Sequence, residues 1–335
     1  MKHPHPTRRS RRRSLLQAVA AIGLALAGAD LAAQTGATGA YPNRTVRLVV
    51  PYPAGSQVDV AARILAKEFG DALGQAFVVD NKPGASTIIG AEFVAKSTPD
   101  GYNVLVTTNT TSAANRSLFK TLPYDPLKDF AHVGRVVATS LILVARTDLP
   151  GSNLKDFLAQ AKVRKQPLSI GYFSAGSQVA AANLKNAAGI ELLMVPYKGS
   201  PPAVTDVMGG QADLLFTDFT TALPQLKAGK LKGLAVTSEK RSLLAPELPA
   251  MAEELPGYAV TTWIGLVAPA GTPPAAVSRL NAVLNAALAK PEIKARFADM
   301  GFEPAPLSPA EFAKFVEAEI ETWRKHVTDA GIPAQ

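Results

Sequence analysis

Residues 45–70 read TVRLVVPYPAGSQVDVAARILAKEFG. An apolar run, Val46 to Val50, predicts a buried strand. Tyr52, Pro53, Ala54 and Gly55 supply turn chemistry, and a helical period opens at Ser56 and Gln57. Ser56 three residues before Asp59 fits a capping box, in which the hydroxyl accepts from the Asp59 amide and the carboxylate accepts from the Ser56 amide. A helix start carries unpaired amides and the positive end of the helix dipole, and Gly55 adds no Cβ to keep a ligand away. Strand, turn and capped helix together make an anion cradle. Any strand–turn–helix unit has this outline, so its repetition is what points to a site. Residues 81–87, NKPGAST, follow a strand expected at 76–80, and Ser174, Ala175, Gly176 and Ser177 follow one expected at 168–173.

At 335 residues the chain is long enough for two domains with sizeable cores, and 47% hydrophobic with 19% charged residues is ordinary for a globular protein. The net charge of +8 does not describe a nucleic-acid surface. Lys2, Arg8, Arg9, Arg11, Arg12 and Arg13, opposed before residue 40 only by Asp30, supply five of those eight charges. A basic start followed by LLQAVAAIGLALAGA at 15–29 reads as an export signal over residues 1–40, too short and Gly-broken to span a bilayer. Ala29, Ala33 and Ala40 are alternative cleavage points, and RRSLL at 12–16 resembles a twin-arginine signal, leaving two export routes open. The chain has no cysteine, which excludes a lipoprotein anchor, disulfides and thiolate chemistry. The expectation is a soluble protein of the periplasm or the cell exterior.

Beyond the signal, strand-like and helix-like segments alternate, which predicts an α/β fold with mostly parallel strands. A first series runs through a helix at 87–96 and a strand at 104–107. A second comprises a helix at 154–165, a strand at 168–173, a helix at 179–188 and strands at 192–195, 214–216 and 233–237. Extended runs at 141–145 and 263–268 are expected to cross between the two. The division so read is lobe 1 at 41–143 plus 266–335 and lobe 2 at 144–265, around a cleft. Two helices close the chain, and in the last one Phe312, Phe315, Val316, Ile320, Trp323 and Val327 form a core stripe.

Chemistry is sparse. Outside the signal only His132, expected in a loop, and His326, in the last helix, remain, so a metal site has almost nothing to build on. No nucleophile elbow, Walker loop or dinucleotide fingerprint occurs, and no cofactor is implied. Polar residues after strand ends can add specificity to the cradles: Gln57, the run Thr107 to Thr111 with Thr108 and Asn109, Gln178, Tyr197 with the following Lys198, Gly199 and Ser200, and Asp218. Asp218 could repel a second carboxylate or pair with a ligand amine.

The segments VPYPAGSQVDVAAR (50–63), VVDNKPGASTIIGAE (78–92), VPYKGSPPAVTDVMGGQAD (195–213), LKAGKLKGLAVTS (226–238) and GLVAPAGTP (265–273), in this order, resemble the Bug-type receptors of tripartite tricarboxylate transporters. The resemblance implies a two-lobed periplasmic binding protein of the Venus-flytrap kind, each lobe a mostly parallel sheet flanked by helices. It also implies a monomer that closes on a small carboxylate and hands it to integral-membrane permease subunits. By position, backbone amides of 53–57 and 174–178 would hold one carboxylate, while Ser86, Thr87, Thr108, Asn109, Tyr197 and Asp218 would read the rest. The departures lie at the site: Ser56 stands where the family usually has Gly, Ser86-Thr87 where it often has Gly-Gly, and Thr217-Asp218 where Asp-Asn is common. The loop at Gly176 is about four residues shorter than usual. The alternatives weighed are a secreted carboxylate-handling enzyme, for which Asp218 is the one candidate base, and a ligand sensor for a signalling partner.

Overall fold

The computed structural model describes residues 41–335, and the expected export signal lies outside them. Two sheets organise the chain. The first, in the order β11-β4-β10-β3-β1-β2, comprises β1 (Val46–Val50), β2 (Phe77–Asn81), β3 (Asn103–Thr108), β4 (Phe130–Ser140), β10 (Thr261–Pro269) and β11 (Phe302–Pro304). The second, in the order β7-β6-β8-β5-β9, comprises β5 (Ile142–Ala145), β6 (Leu168–Tyr172), β7 (Leu192–Pro196), β8 (Leu214–Thr217) and β9 (Lys232–Val236). Each sheet is the floor of one lobe.

The opening unit forms as its sequence directs. β1 pairs in parallel with β2 and β3. Helix α1 (Gln57–Leu73) buries Ala61, Ala62, Leu65 and Phe69, and Phe69 stacks on Phe77 of β2 with ring centroids 5.1 Å apart. Gly74 ends the helix in the left-handed conformation (φ 68°), where a side chain would be strained. The chain continues through α2 (Ile88–Ala95) and α3 (Asn115–Leu118) in the first lobe. In the second lobe come α4 (Leu154–Lys162), α5 (Ala175–Ala188), α6 (Ser200–Met208) and α7 (Phe219–Lys227).

The sheets are mixed rather than mostly parallel. β1-β2, β1-β3, β6-β7 and β6-β8 are parallel, whereas β10 runs antiparallel to β3 and β4, β11 to β4, and β5 to β8 and β9. The reason is the way the chain changes sheets. β4 leads into β5 through Leu141 alone, with no crossover helix to reverse direction, and β10 returns to be inserted between β3 and β4. A strand arriving directly from the other lobe meets its neighbours head to tail.

β4 places His132 in a strand, not in the loop expected for it. The longest strand was hidden because His132, Gly134 and Arg135 interrupt its apolar run. Each has a local reason. A Cβ on Gly134 would lie 2.7 Å from Nδ2 of Asn281, Arg135 donates from Nε to the Ala305 carbonyl at 2.8 Å, and His132 packs edge-on against Phe312. Burial pushes the His132 imidazole down to about 4, so it is neutral at physiological pH.

Three helices, not two, close the chain: α8 (Pro274–Ala289), α9 (Pro291–Ala298) and α10 (Pro309–Asp329). The α10 stripe serves both lobes. Phe312 and Val316 pack with Trp263 on the first sheet, while Trp323 and Val327 join the core of the second. Glu319 ties the two ends together by accepting from both indoles, Trp263 at 2.6 Å and Trp323 at 3.0 Å.

The two crossings meet at Thr237, which is fully buried. Its hydroxyl accepts from the Leu141 amide at 2.9 Å and donates to the Val260 carbonyl at 2.7 Å. Replacing it by the isosteric valine leaves both backbone groups buried and unpaired. Thr237→Val is expected to lower the unfolding free energy by about 2–4 kcal/mol, and Thr237→Ser to recover most of that loss, as urea unfolding of the three proteins would measure.

Candidate functional site

Two neighbouring cavities lie between the lobes. The inner one, about 50 Å³, is lined by Tyr52, Ser56, Gln57, Thr108 and Asn109 from the first lobe, and by Phe173, Ser174, Ser200 and Asp218 from the second. The outer one, about 330 Å³, has Ser86, Thr87, Gln178, Tyr197 and Lys198 on its walls. Tyr52 and Phe173 belong to both and form the partition.

The β1–α1 loop supplies the inner donors. Ser56 caps α1, its hydroxyl accepting from the Asp59 amide at 3.3 Å. The carboxylate of Asp59 does not return to the Ser56 amide as expected. It accepts from the Gly55 amide at 2.9 Å, while the Ser56 amide donates to the Pro53 carbonyl at 3.2 Å. The cause is the company Asp59 keeps. It is 2% exposed, bound by Arg63 through two 3.0 Å contacts and by Nδ2 of Asn81 at 2.8 Å, and the second of these donors also holds the Tyr52 carbonyl at 3.0 Å. Ala54 and Gly55 are consequently turned to solvent, and Pro53 packs on the opposite lobe, where a Cβ on Gly199 would lie 2.7 Å from its Cγ. Among the described residues no acceptor reaches the Gln57 and Val58 amides. The Gln57 side chain is committed elsewhere, donating to the Met300 carbonyl at 2.7 Å.

The second loop differs. Helix α5 starts at Ala175, only two residues after β6, and Ser174 and Ser177 close a reciprocal capping box. Ser177 Oγ accepts from the Phe173 and Ser174 amides at 2.9 and 3.0 Å, and the Ala175 amide donates across the cleft to Thr110 Oγ1 at 3.1 Å. Of the amides of residues 173–177, the one on Gly176 is left without an acceptor among the described residues. Gly176 is held tightly, since a Cβ there would lie 2.6 Å from Thr262 Cγ2. The shortened loop thus satisfies most of its own donors.

Two side chains that line the inner cavity carry buried polar atoms without partners among the described residues. Asn109 is 3% exposed with Nδ2 unpaired, and Ser200 is 0% exposed with its hydroxyl unpaired. Asp218 caps α7, one oxygen accepting from the Thr221 amide at 2.9 Å and from the Thr221 hydroxyl at 3.0 Å. The Ser200 hydroxyl lies beside the carboxyl without reaching hydrogen-bond geometry. Burial raises the Asp218 carboxyl above the usual carboxylate range, against the lowering effect of these neighbours. Among the described residues no lysine or arginine lines this cavity. Among the described residues no three His, Cys, Asp or Glu side chains converge as a metal would require.

In the outer cavity Ala85, Ser86 and Thr87 follow one another at φ 44°, 48° and 76°, a left-handed turn made without glycine. Such residues cost about 1 kcal/mol or more each and persist only where their surroundings hold them. Here Asn115 Nδ2 donates to the Ser86 carbonyl at 2.9 Å, Thr111 donates to the Thr87 hydroxyl at 2.9 Å, and Tyr124 fixes Thr111 through its carbonyl at 2.7 Å. The same network reaches the inner cavity through the 3.0 Å contact of Thr108 with the Tyr52 hydroxyl. Tyr197 presents its ring while its hydroxyl donates to Asp206 at 2.9 Å.

From the sequence, Ser200 and Thr110 stand only within wider polar runs, at 197–200 and 107–111, and Phe173 is not singled out. Ser200 sits between Gly199 and Pro201-Pro202, a helix-start pattern that carries a signal, whereas Thr110 and Phe173 reach the cleft through tertiary placement alone.

A family model described as a tripartite tricarboxylate transporter family receptor matches residues 61–332. Protein BugT of Bordetella pertussis is 34% identical over 322 residues, spanning 95% of this chain and 98% of BugT. Among solved structures, the periplasmic binding protein BugD is similar with 36% identity and a TM-score of 0.84, over 88% of this chain and 100% of that one. R. palustris Rpa4515 with adipate is similar with 34% identity and a TM-score of 0.85, over 88% and 100%.

The Asp59 cluster sets the shape of the first cradle, and its contribution depends on charge. Burial alone would raise this carboxyl, but Arg63, Gly55 and Asn81 outweigh it and the net shift is downward. A depressed carboxyl stabilises the fold fully above its unfolded value, near 4, and loses that contribution as pH falls through its folded value. Asp59→Asn is expected to cost about 2–3 kcal/mol at pH 7, with the gap from wild type narrowing toward pH 3.5 in urea unfolding at the two pH values.

Proposed function

This chain belongs to the tripartite tricarboxylate transporter receptor family, and we propose that it captures a small mono- or dicarboxylate between its lobes in the periplasm and delivers it to permease subunits of a tripartite transporter. The observation that carries the reading is the inner cavity. It offers the Gln57 and Val58 amides and Asn109 Nδ2 as donors that lack acceptors among the described residues, with no lysine or arginine among the described residues that line it. Such a wall suits one carboxylate, held by amide dipoles and the N-terminal end of α1. The adipate bound by Rpa4515 supports the same ligand class here. The body of the ligand would extend past Tyr52 and Phe173 into the outer cavity, whose volume is that of a small-molecule site.

The lobes would divide at Leu141 and Val260, close to Thr237, because strand membership puts Ile142 in the second sheet and Thr261 in the first. Contacts of Pro53 with Gly199 and of Thr110 with Ala175 already join the lobes across the cleft. A ligand touching both sides would favour this closed arrangement by the contacts it makes only there. Binding in place of turnover is the reading that the receptor family supports.

Thermal-shift measurements with a panel of carboxylic acids and their amides test the binding. An acid at about a thousandfold its dissociation constant is expected to stabilise the protein by about 4 kcal/mol, and its amide to give no shift. Asn109→Ala should weaken binding roughly tenfold and Asn109→Asp should abolish it. No shift with any acid would refute carboxylate capture, and unchanged carboxylate uptake after deletion of the gene would refute delivery to a permease.

A further inference from the structure

The amide donors of the inner cavity, on Gln57, Val58 and Asn109, lie on its first-lobe wall, and the second-lobe wall carries Asp218 with Ser200 beside it. One of the Asp218 oxygens is used by Thr221, the residue is 3% exposed, and among the described residues no lysine or arginine lines the cavity to balance it. Ser200, buried beside it, leaves its hydroxyl unpaired. A bare carboxylate from the ligand would satisfy the donor wall and at the same time confront Asp218 with a second negative charge. Like charges in a site of low polarity are costly, and a buried acceptor left without a donor is costly as well. One change in the ligand removes both penalties, namely a donor attached next to its carboxylate. The cavity, at about 50 Å³, has room for a carboxylate, the adjoining carbon and one small substituent, and little more.

We infer that the ligand carries a hydroxyl or ammonium group on the carbon adjacent to the carboxylate held in the inner cavity, and that Asp218 is the specificity-determining residue that accepts its hydrogen bond. The inference rests on the carboxylate-capture reading above and narrows it to 2-hydroxy or 2-amino acids. Asp218 also explains the paired placement of Ser200, whose hydroxyl can donate to the carboxyl or accept from the same substituent. The upward displacement of the Asp218 carboxyl by burial agrees with a group that awaits a donor from outside the protein.

The test is calorimetric titration of the purified protein with acids matched except at that carbon: succinate, malate and aspartate, and phenylacetate, mandelate and phenylglycine. The two series cover a second carboxylate and an aromatic body in the outer cavity. In the series that binds, the substituted acids are expected to bind at least about tenfold more tightly than the parent, the gain of one hydrogen bond to a charged group. Comparison of the hydroxyl and ammonium members identifies which donor is used. Asp218→Ala should reduce the preference to less than about threefold. Asp218→Asn, which keeps a capping side chain for α7, should cut the ammonium preference while leaving the melting temperature near that of the wild type. Parent acids that bind as tightly as their substituted partners, or a preference that survives in both variants, would overturn the inference and leave carboxylate capture standing. Absence of binding by every member of both series would overturn the two together.

Discussion

A helix cannot satisfy its own first amides, and two of the helices that open onto this cleft, α1 and α5, meet that constraint in opposite ways. At α5, Ser177 takes the amides of Phe173 and Ser174, and Thr110 takes that of Ala175 from the other lobe. At α1, Asp59 takes only the Gly55 amide, and those of Gln57 and Val58 are left without an acceptor. The site is therefore asymmetric. One lobe offers amide donors and the other the Asp218 carboxyl with the Ser200 hydroxyl beside it, and whatever fills the inner cavity must accept on one side and be tolerated by an acid on the other.

Two further features make this asymmetry usable. The first is rigidity where donors must be aimed. The Asp59–Arg63–Asn81 cluster fixes the first loop, and the Thr111–Thr87–Asn115–Tyr124 network holds three left-handed residues in a row at the second. The second is a pair of crossings that come together in one place. β4 passes into β5 through Leu141, the chain returns at Val260, and the Thr237 hydroxyl bonds both. Motion between the lobes would concentrate at these few residues while the loops keep their shapes.

What was legible in the sequence was mainly what is local. The apolar run of β1, the Ser56 cap and the Phe312 to Val327 stripe of α10 depend on residues within a few turns of one another, and all are found as read. β4 was not legible, because His132, Gly134 and Arg135 answer to Phe312, Asn281 and Ala305, which are distant in sequence. The antiparallel insertion of β5 and β10 follows from how the chain changes sheets, and no residue pattern announces it. At the site, the list of loops was legible but not the division of labour within them. That Ala54 and Gly55 face solvent, that Ser177 occupies its own loop, and that Asn109 and Ser200 lack partners are consequences of tertiary placement.

The most direct measurement is a crystal structure of the protein grown with the tightest-binding acid from the panel. The carboxylate should lie in the inner cavity, within about 3 Å of the Gln57 and Val58 amides and of Asn109 Nδ2, with the remainder of the ligand beyond Tyr52 and Phe173. A ligand seated wholly in the outer cavity, with its carboxylate on Lys198 and the α1 amides left to water, would contradict the donor-wall mechanism.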